Sequence, residues 1–364
     1  MRQLFESTVQ RIFGDIVTPA SLLARKAGEW PTQLWAAIEE SGFSVAPAPE
    51  SLGGSDASWN DLYVVVRAAG RYTVPAPLPE ALLANWLLGR SGLDAISGPL
   101  SFAAANTLVF ADGKVTGQLQ EVPWGRHVAQ VVAVVAGTGD LPSQIVVLNV
   151  KDATLANLRL NMADEPRDDL RFNAAQPLAF AALPSDLPAD ILLLGGAMLR
   201  SAQIAGALQA ALEMTSRYAT ERSQFGRPIA NFQAIQHRLA ILAEHTANAM
   251  VASEAAFAES GDQLALLPLM AAKVCASEAA SIAADTVHAI HGAIGITHEH
   301  ALHLVTQRLW SWRSEFGSQT FWAQRIGREV CANGAHRFWP AITSAKLEAE
   351  NNPVQKTTPS GELS

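Results

Sequence analysis

The sequence predicts an α+β fold that is mostly α, built as an N-terminal helical domain, a middle β-barrel-like domain and a C-terminal four-helix bundle. Three observations carry that expectation. Apolar residues recur at spacings of three and four over residues 1–95; the period falls to two, or to short apolar runs, over 96–188; and the helical period returns in long segments over 189–350. At 364 residues the chain is also too long for one ordinary core.

In the first unit "LFESTVQRIFGDI", "PTQLWAAIEESGF", "WNDLYVVVRAAGRY" and "LPEALLANWLLGRSG" read as helices punctuated by Gly or Pro, and "APAPESLGGSDAS" reads as a loop. In the second, "LSFAAA", "NTLVFADGKVTGQLQEV", "VAQVVAVVAG", "SQIVVLNV" and "DLRFNAA" read as strands, with "ADGKV" as a hairpin turn and "LPSDLPAD" as the exit. In the third, Ile204, Leu208 and Leu212 share a helix face, and Phe232, Ile235, Leu239 and Leu242 share a face of the next helix. "LMAAKVCASEAASIAADTVHAIHG" and "HALHLVTQRLW" continue the bundle, and the polar residues 351–364 read as a disordered tail.

Composition narrows the function. A hydrophobic share of 49% against 16% charged residues is globular, and a net charge of −8 disfavours nucleic acid or an anionic membrane as partner. Cys275 and Cys331 lack CxxC spacing, so neither a disulfide framework nor a thiol metal site is expected. The N-terminus lacks a secretory pattern, and the longest apolar runs are about half of the roughly 20 residues that span a bilayer. A soluble, cytoplasmic protein is expected.

The most informative stretch is "ATERSQFGRPIANFQAIQHRLA", from Ala219 to Ala240. The breaker Gly226-Arg227-Pro228 parts two helical stretches, and Arg222, Gln224, Arg227, Gln233, Gln236 and His237 crowd it with donors. A helix N-terminus following such a cluster suits an anion; a solvated corner is the alternative for the same residues.

"YATERSQFGRPIANFQAIQHRLA" resembles the signature of the acyl-CoA dehydrogenase family, Tyr-Ala-x-x-Arg-x-Gln-Phe-Gly-x-Pro-Ile followed by Phe-Gln. The order of helical domain, β domain and bundle is that family's too. The resemblance implies FAD held across a subunit interface, with Arg222 on the pyrophosphate, Phe225 packed near it and Gln233 reaching the adenosine side. A Gly-Gly-x-Gly turn of the family is matched by "HGAIGITHEH", where Gly292 and Gly295 keep the pattern and Ala293 replaces the middle glycine. Ala289 stands where an amide residue normally precedes that turn. The implied reaction is α,β-dehydrogenation of an acyl-CoA thioester: a carboxylate removes the α-proton, the β-hydrogen leaves as hydride to the flavin, and electron-transferring flavoprotein is the acceptor.

The carboxylate is missing from its expected places. Counting 17 residues on from Glu299 reaches Phe316, next to Glu315; counting 26 back from Arg222 reaches Gly196. Glu315 is therefore the candidate base, one residue and about 100° of helix away from register. The Thr-Glu-Pro-x-x-Gly-Ser-Asp loop of the family has no match in the middle domain, where Trp124 falls near the place of a flavin-stacking Trp or is a core Trp.

A kept bundle signature and a lost base resemble the smaller, non-catalytic subunit of a heteromeric acyl-CoA dehydrogenase. In that reading Arg222, Phe225, Gln233, Gly292 and Gly295 complete the FAD site of a larger partner, in a heterotetramer acting on bulky thioesters such as steroid side chains. The alternatives are a self-sufficient homo-oligomer using Glu315 or Glu299, and a FAD-free scaffold. No metal site is expected: the run from His288 to His303 misses HExxH because Leu302 stands at the second histidine. Lys273 reads as a solvated or snorkelling side chain, and Trp310, Trp312, Phe316, Phe321 and Trp322 as core or subunit contact.

Overall fold

A computed structural model describes residues 1–344 apart from 138 and 140, so the end of the expected bundle and the expected tail at 351–364 lie outside the described residues. The N-terminal domain comprises α1 (Arg2–Ile16), α2 (Pro19–Ala24), α3 (Thr32–Glu40), α4 (Trp59–Arg71) and α5 (Leu78–Arg90). Local chemistry sets several starts. Thr18 and Ser21 form a capping box ahead of α2, and the Ser58 hydroxyl accepts the Asp61 amide at the head of α4. The six-residue α2 carries no apolar period and was not legible in the sequence.

The middle domain holds β1 (Leu100–Ala103), β2 (Ala105–Asn106), β3 (Val109–Ala111), β4 (Lys114–Pro123), β5 (Gln130–Val135), β6 (Gln144–Asn149), β7 (Thr154–Asn157), β8 (Arg167–Ala175) and β9 (Ala179–Ala182). They form two sheets, one ordered β1-β5-β6-β9 and one β2-β4-β8-β7 with β3 paired to β4. The expected hairpin turns through Asp112 and Gly113, whose φ values of 52° and 72° fit the left-handed pair of a type I′ turn. The continuous apolar runs of β5 and β6 have a physical cause: both faces are covered. Val131, Ala133 and Val146 pack into the core between the sheets, while Val132, Val134 and Ile145 join the core shared with the N-terminal helices. The edge strand β7 is exposed along all four residues and so left no apolar signal.

The third unit is α6 (Ile191–Glu221), a short hairpin of β10 (Ser223–Gln224) and β11 (Arg227–Pro228), α7 (Gln233–Ala258), α8 (Leu266–His291), α9 (Leu302–Trp312), α10 (Gln319–Asn333) and α11 (Ala335–Ser344). α6 is the axis of the molecule. Gly206 lets it touch α4, since a Cβ there would fall 2.0 Å from Arg67 O, and Gly70 of α4 does the same against Gln203 O at 1.9 Å. Two helices are longer and more apolar than the short runs suggested: Ile191–Glu221 and Leu266–Ile296 reach mean hydropathies of 1.5 and 1.4 over a membrane-length window. The first is explained by its place in the core, where 94% of that window is buried.

Candidate functional site

The signature stretch folds as an exposed two-residue hairpin between α6 and α7. Ser223 pairs with Pro228 and Gln224 with Arg227, so Phe225 and Gly226 make the turn with φ values of 51° and 79°. Phenylalanine is an unfavourable residue there, and its ring is 92% exposed. It touches Phe232 edge-on at 6.1 Å, and the Arg227 guanidinium lies 4.3 Å over the same Phe232 ring. Arg222 and Gln233 are exposed, and α7 starts with no side-chain cap on its first amides. Arg222 makes no side-chain hydrogen bond or ion pair among the described residues.

The glycine turn lies at the same end of the bundle. Tyr218, near the end of α6, stacks on His291 at 4.3 Å and donates its hydroxyl to His291 O at 3.3 Å, which ties the hairpin base to the end of α8. Gly292 follows with φ 64° and ψ −145°, a conformation suited to glycine, and open space where a Cβ would stand. Gly295 differs: it is buried, and a Cβ would crowd His291 Cβ at 3.1 Å and His288 Nδ1 at 3.2 Å, so close packing explains it. His288, His291 and His300 are pushed below the usual histidine range chiefly by burial, and no metal-holding group of three occurs among the described residues.

A second region lies between the β domain and the bundle, where a cavity of about 580 Å³ is lined by Ala105, Gln120, Met162, Trp310, Glu315 and Phe316 among others. Of the two positions counted for the base, Phe316 lines this cavity and Gly196 lies against its ring. A Cβ on Gly196 would fall 2.5 Å from Phe316 Cγ, so an aromatic ring packed on a glycine occupies both. Phe316 also packs on Phe102 at 5.3 Å.

Glu315, on the same cavity's wall, is held by cations. Arg167 grips it with Nε and Nη2, each at 3.0 Å; Arg200 Nε donates to it at 2.7 Å and Asn161 Nδ2 at 2.9 Å. Burial pushes its carboxyl up, but Arg167 and Arg200 outweigh burial and hold it well below the usual carboxylate range. The network continues: Arg200 Nη2 donates to Glu80 at 2.6 Å, Arg167 reaches Glu165 at 3.1 Å, and Arg308 stands 3.1 Å from Glu165. A base must gain a proton, and here two guanidiniums oppose that gain while occupying its lone pairs.

Lys273 is fully buried rather than solvated. Its Nζ donates to Trp312 O at 2.9 Å, Arg313 O at 2.8 Å and Ser277 Oγ at 3.2 Å, and burial pulls its pKa down to about 7. It thereby ties down the chain leading into Glu315 and Phe316. Trp124 is 2% exposed, edge-on to Trp30 at 5.9 Å beneath the Arg25 guanidinium, which makes it a core residue between two domains. Trp312 and Trp322 are buried as well, whereas Phe321 is 38% exposed.

Sequence reasoning passed over Glu80, Glu165, Arg167, Arg200 and Arg308. A usable signal existed for two of them. Arg200 interrupts "LLLGGAMLRSAQIAGAL" and Glu80 interrupts "LPEALLANWLL", and a lone charge in a run that must be buried needs a partner.

The architecture is a three-unit one of helical domain, paired sheets and bundle, and the comparisons specify its class. The N-terminal domain of acyl-CoA dehydrogenases matches residues 2–95 and the C-terminal domain matches residues 192–330. Acyl-CoA dehydrogenase IpdE2 of Mycobacterium tuberculosis is 30% identical over 325 residues, covering 84% of this chain and 90% of the relative. The ChsE4–ChsE5 complex from Mycobacterium tuberculosis shares the fold at TM-score 0.79 and 23% identity, over 92% of this chain and 98% of the matched one. The Tcur3481–Tcur3483 steroid ACAD does so at 0.79 and 22%, with the same coverage of 92% and 98%. The chain belongs to the acyl-CoA dehydrogenase family, whose cofactor is FAD.

Proposed function

We propose that this chain is the non-catalytic subunit of a heteromeric acyl-CoA dehydrogenase, and that its bundle completes a FAD site whose flavin pocket and base belong to a larger partner. The observation that carries this is the Phe316 ring packed on Gly196: both positions for a base are apolar, and the neighbouring carboxylate is locked between Arg167 and Arg200. The fit to FAD rests on the other end of the bundle. Gly292 leaves room for backbone to approach a ligand, Arg222 is exposed and unpaired among the described residues, and the first amides of α7 are uncapped.

In this reading Arg222 neutralises the pyrophosphate, Gln233 holds the adenosine side, and the Phe225 ring seals the joint against the partner. Gly295 acts by letting the turn pack closely under Gly292. FAD supplies the hydride acceptor when bound. The names of the solved relatives, a ChsE4–ChsE5 complex and a steroid ACAD, support a heteromer acting on a bulky acyl group; a heterotetramer, a steroid side chain as that group and electron-transferring flavoprotein as acceptor complete the proposal. A reducing cytoplasm is the setting this reading expects, with Cys275 and Cys331 free.

The alternative, a homo-oligomer that uses Glu315, draws on that residue lining the 580 Å³ cavity. The visible spectrum and native mass decide between them, taken for the chain alone and co-expressed with a larger family member. A colourless chain that turns yellow in the complex, with fewer FADs than chains, supports the proposal. A yellow homo-oligomer that oxidises an acyl-CoA unaided overturns it, and a complex that stays colourless points to a FAD-free scaffold.

A further inference from the structure

A cavity of about 120 Å³ opens where the N-terminal domain, the β domain and α9 meet, and it shares no lining residue with the larger one. Arg25 and Lys26 reach it from the segment after α2, His298 from the approach to α9, and His303 and Arg308 from α9 itself. The one carboxylate on its wall is Asp164. Its size corresponds to about four waters at ~30 Å³ each, enough for one tetrahedral oxyanion.

The cavity wall carries three basic side chains, Arg25, Lys26 and Arg308, against the single carboxylate Asp164. Arg308 is 2% exposed; its Nη1 donates to Leu304 O at 3.0 Å and its Nε is ion-paired with Glu165 Oε1 at 3.1 Å, a carboxylate that does not line the cavity. Arg25 donates to Glu29 O and lies over the Trp124 ring at 5.4 Å, with no carboxylate at ion-pair distance among the described residues. Burial and the neighbouring Arg308 charge pull the Arg25 pKa down to about 10, against the opposing pull of Glu165, Glu29 and Asp164. His303 gives its Nδ1 hydrogen to His300 O at 2.8 Å, so in the neutral ring Nε2 is an acceptor, suited to a phosphate hydroxyl. Lys26 is exposed at the rim.

We infer that this junction is a binding site for a phosphate group, held by Arg25, Lys26 and Arg308 with His303 at its edge. An anion there adds acceptors on a wall where Arg25, Lys26 and Arg308 face the one carboxylate Asp164, and it separates two like charges that the fold holds together. The site joins three units, so filling it stiffens their junction. It stands apart from the joint at Arg222 and does not depend on FAD.

Inorganic phosphate is titrated into the purified full-length chain by calorimetry and thermal melting, with chloride at equal ionic strength as the control. A saturable phosphate response is expected, at least tenfold weaker in Lys26→Glu, whose melting curve without phosphate stays that of the parent. CoA is then added in competition: displacement of phosphate assigns the group to a larger phosphorylated ligand, and no displacement assigns it to free phosphate. A phosphate response no greater than that of chloride overturns the site, as does one that both Lys26→Glu and His303→Gln leave intact. Unchanged flavin content in Lys26→Glu separates this result from any failure of the FAD joint.

Discussion

Arg200 and Glu315 meet at 2.7 Å in the centre of the molecule, through the guanidinium Nε and the carboxylate Oε2. Arg200 is 1% exposed and is also bound to Glu80 of the N-terminal domain at 2.6 Å, so one side chain of α6 links two carboxylates from different units. Desolvating such charges is expensive, and it is tolerated because Arg200 and Glu315 each have two or more partners.

Replacing one member is therefore costly. Glu315→Gln leaves Arg167 and Arg200 buried with half their acceptors and is expected to lower unfolding stability by about 3 kcal/mol, measured by urea denaturation. In the flavin-containing complex, turnover per FAD is expected to stay near parental. A collapse of turnover with the fold intact favours Glu315 as the base.

The same carboxylate sets an acid dependence. Its folded-state pKa lies below the unfolded one, so its contribution is present above the ordinary carboxylate range near pH 4 and is lost as pH falls below that range toward the depressed folded value. Denaturation at pH 7 and pH 3 is expected to show a steep loss in the parent and a shallower one in Glu315→Gln.

Lys273 gives a slope of the same sign in a higher pH window. With a folded pKa near 7 and an unfolded value near 10.4, the unfolded chain binds more protons between those limits, so stability rises with pH across that window. Lys273→Met is expected to flatten the slope between pH 7 and 10. A parental slope in the variant shows that other groups cause it.

Gly196 and Phe316 form a testable pair. Gly196→Ala places a methyl 2.5 Å from the Phe316 ring and is expected to destabilise by about 1–3 kcal/mol. Phe316→Ala alone also destabilises, by about 3 kcal/mol of lost packing. The double variant is expected to be more stable than the sum of the two, and strict additivity denies the contact.

Phe225 separates folding from assembly. Its ring is 92% exposed in a left-handed turn position, so Phe225→Asn is expected to leave the isolated chain as stable or up to about 1 kcal/mol more so. The flavin content of the co-expressed complex is expected to fall. Full flavin content in that variant removes Phe225 from the joint.

The amino-acid sequence alone determined what depends on local period and punctuation. The helical runs, the Asp112-Gly113 turn and the breaker at Gly226 are written in spacing and backbone preference, and the signature from Tyr218 to Gln233 carried the family. It was silent on α2 and β7, where no apolar face is buried and so no period is imposed. Only the tertiary structure decided which charges are interior. Arg200, Arg167, Arg308 and Glu315 are spread over more than 140 positions, and their pairing depends on α6, α9 and β8 closing on one point. The same closure put Phe316 on Gly196, and turned Lys273 from an expected surface lysine into a buried tie. Desolvation and pairing are properties of three-dimensional neighbours, which no one-dimensional spacing records.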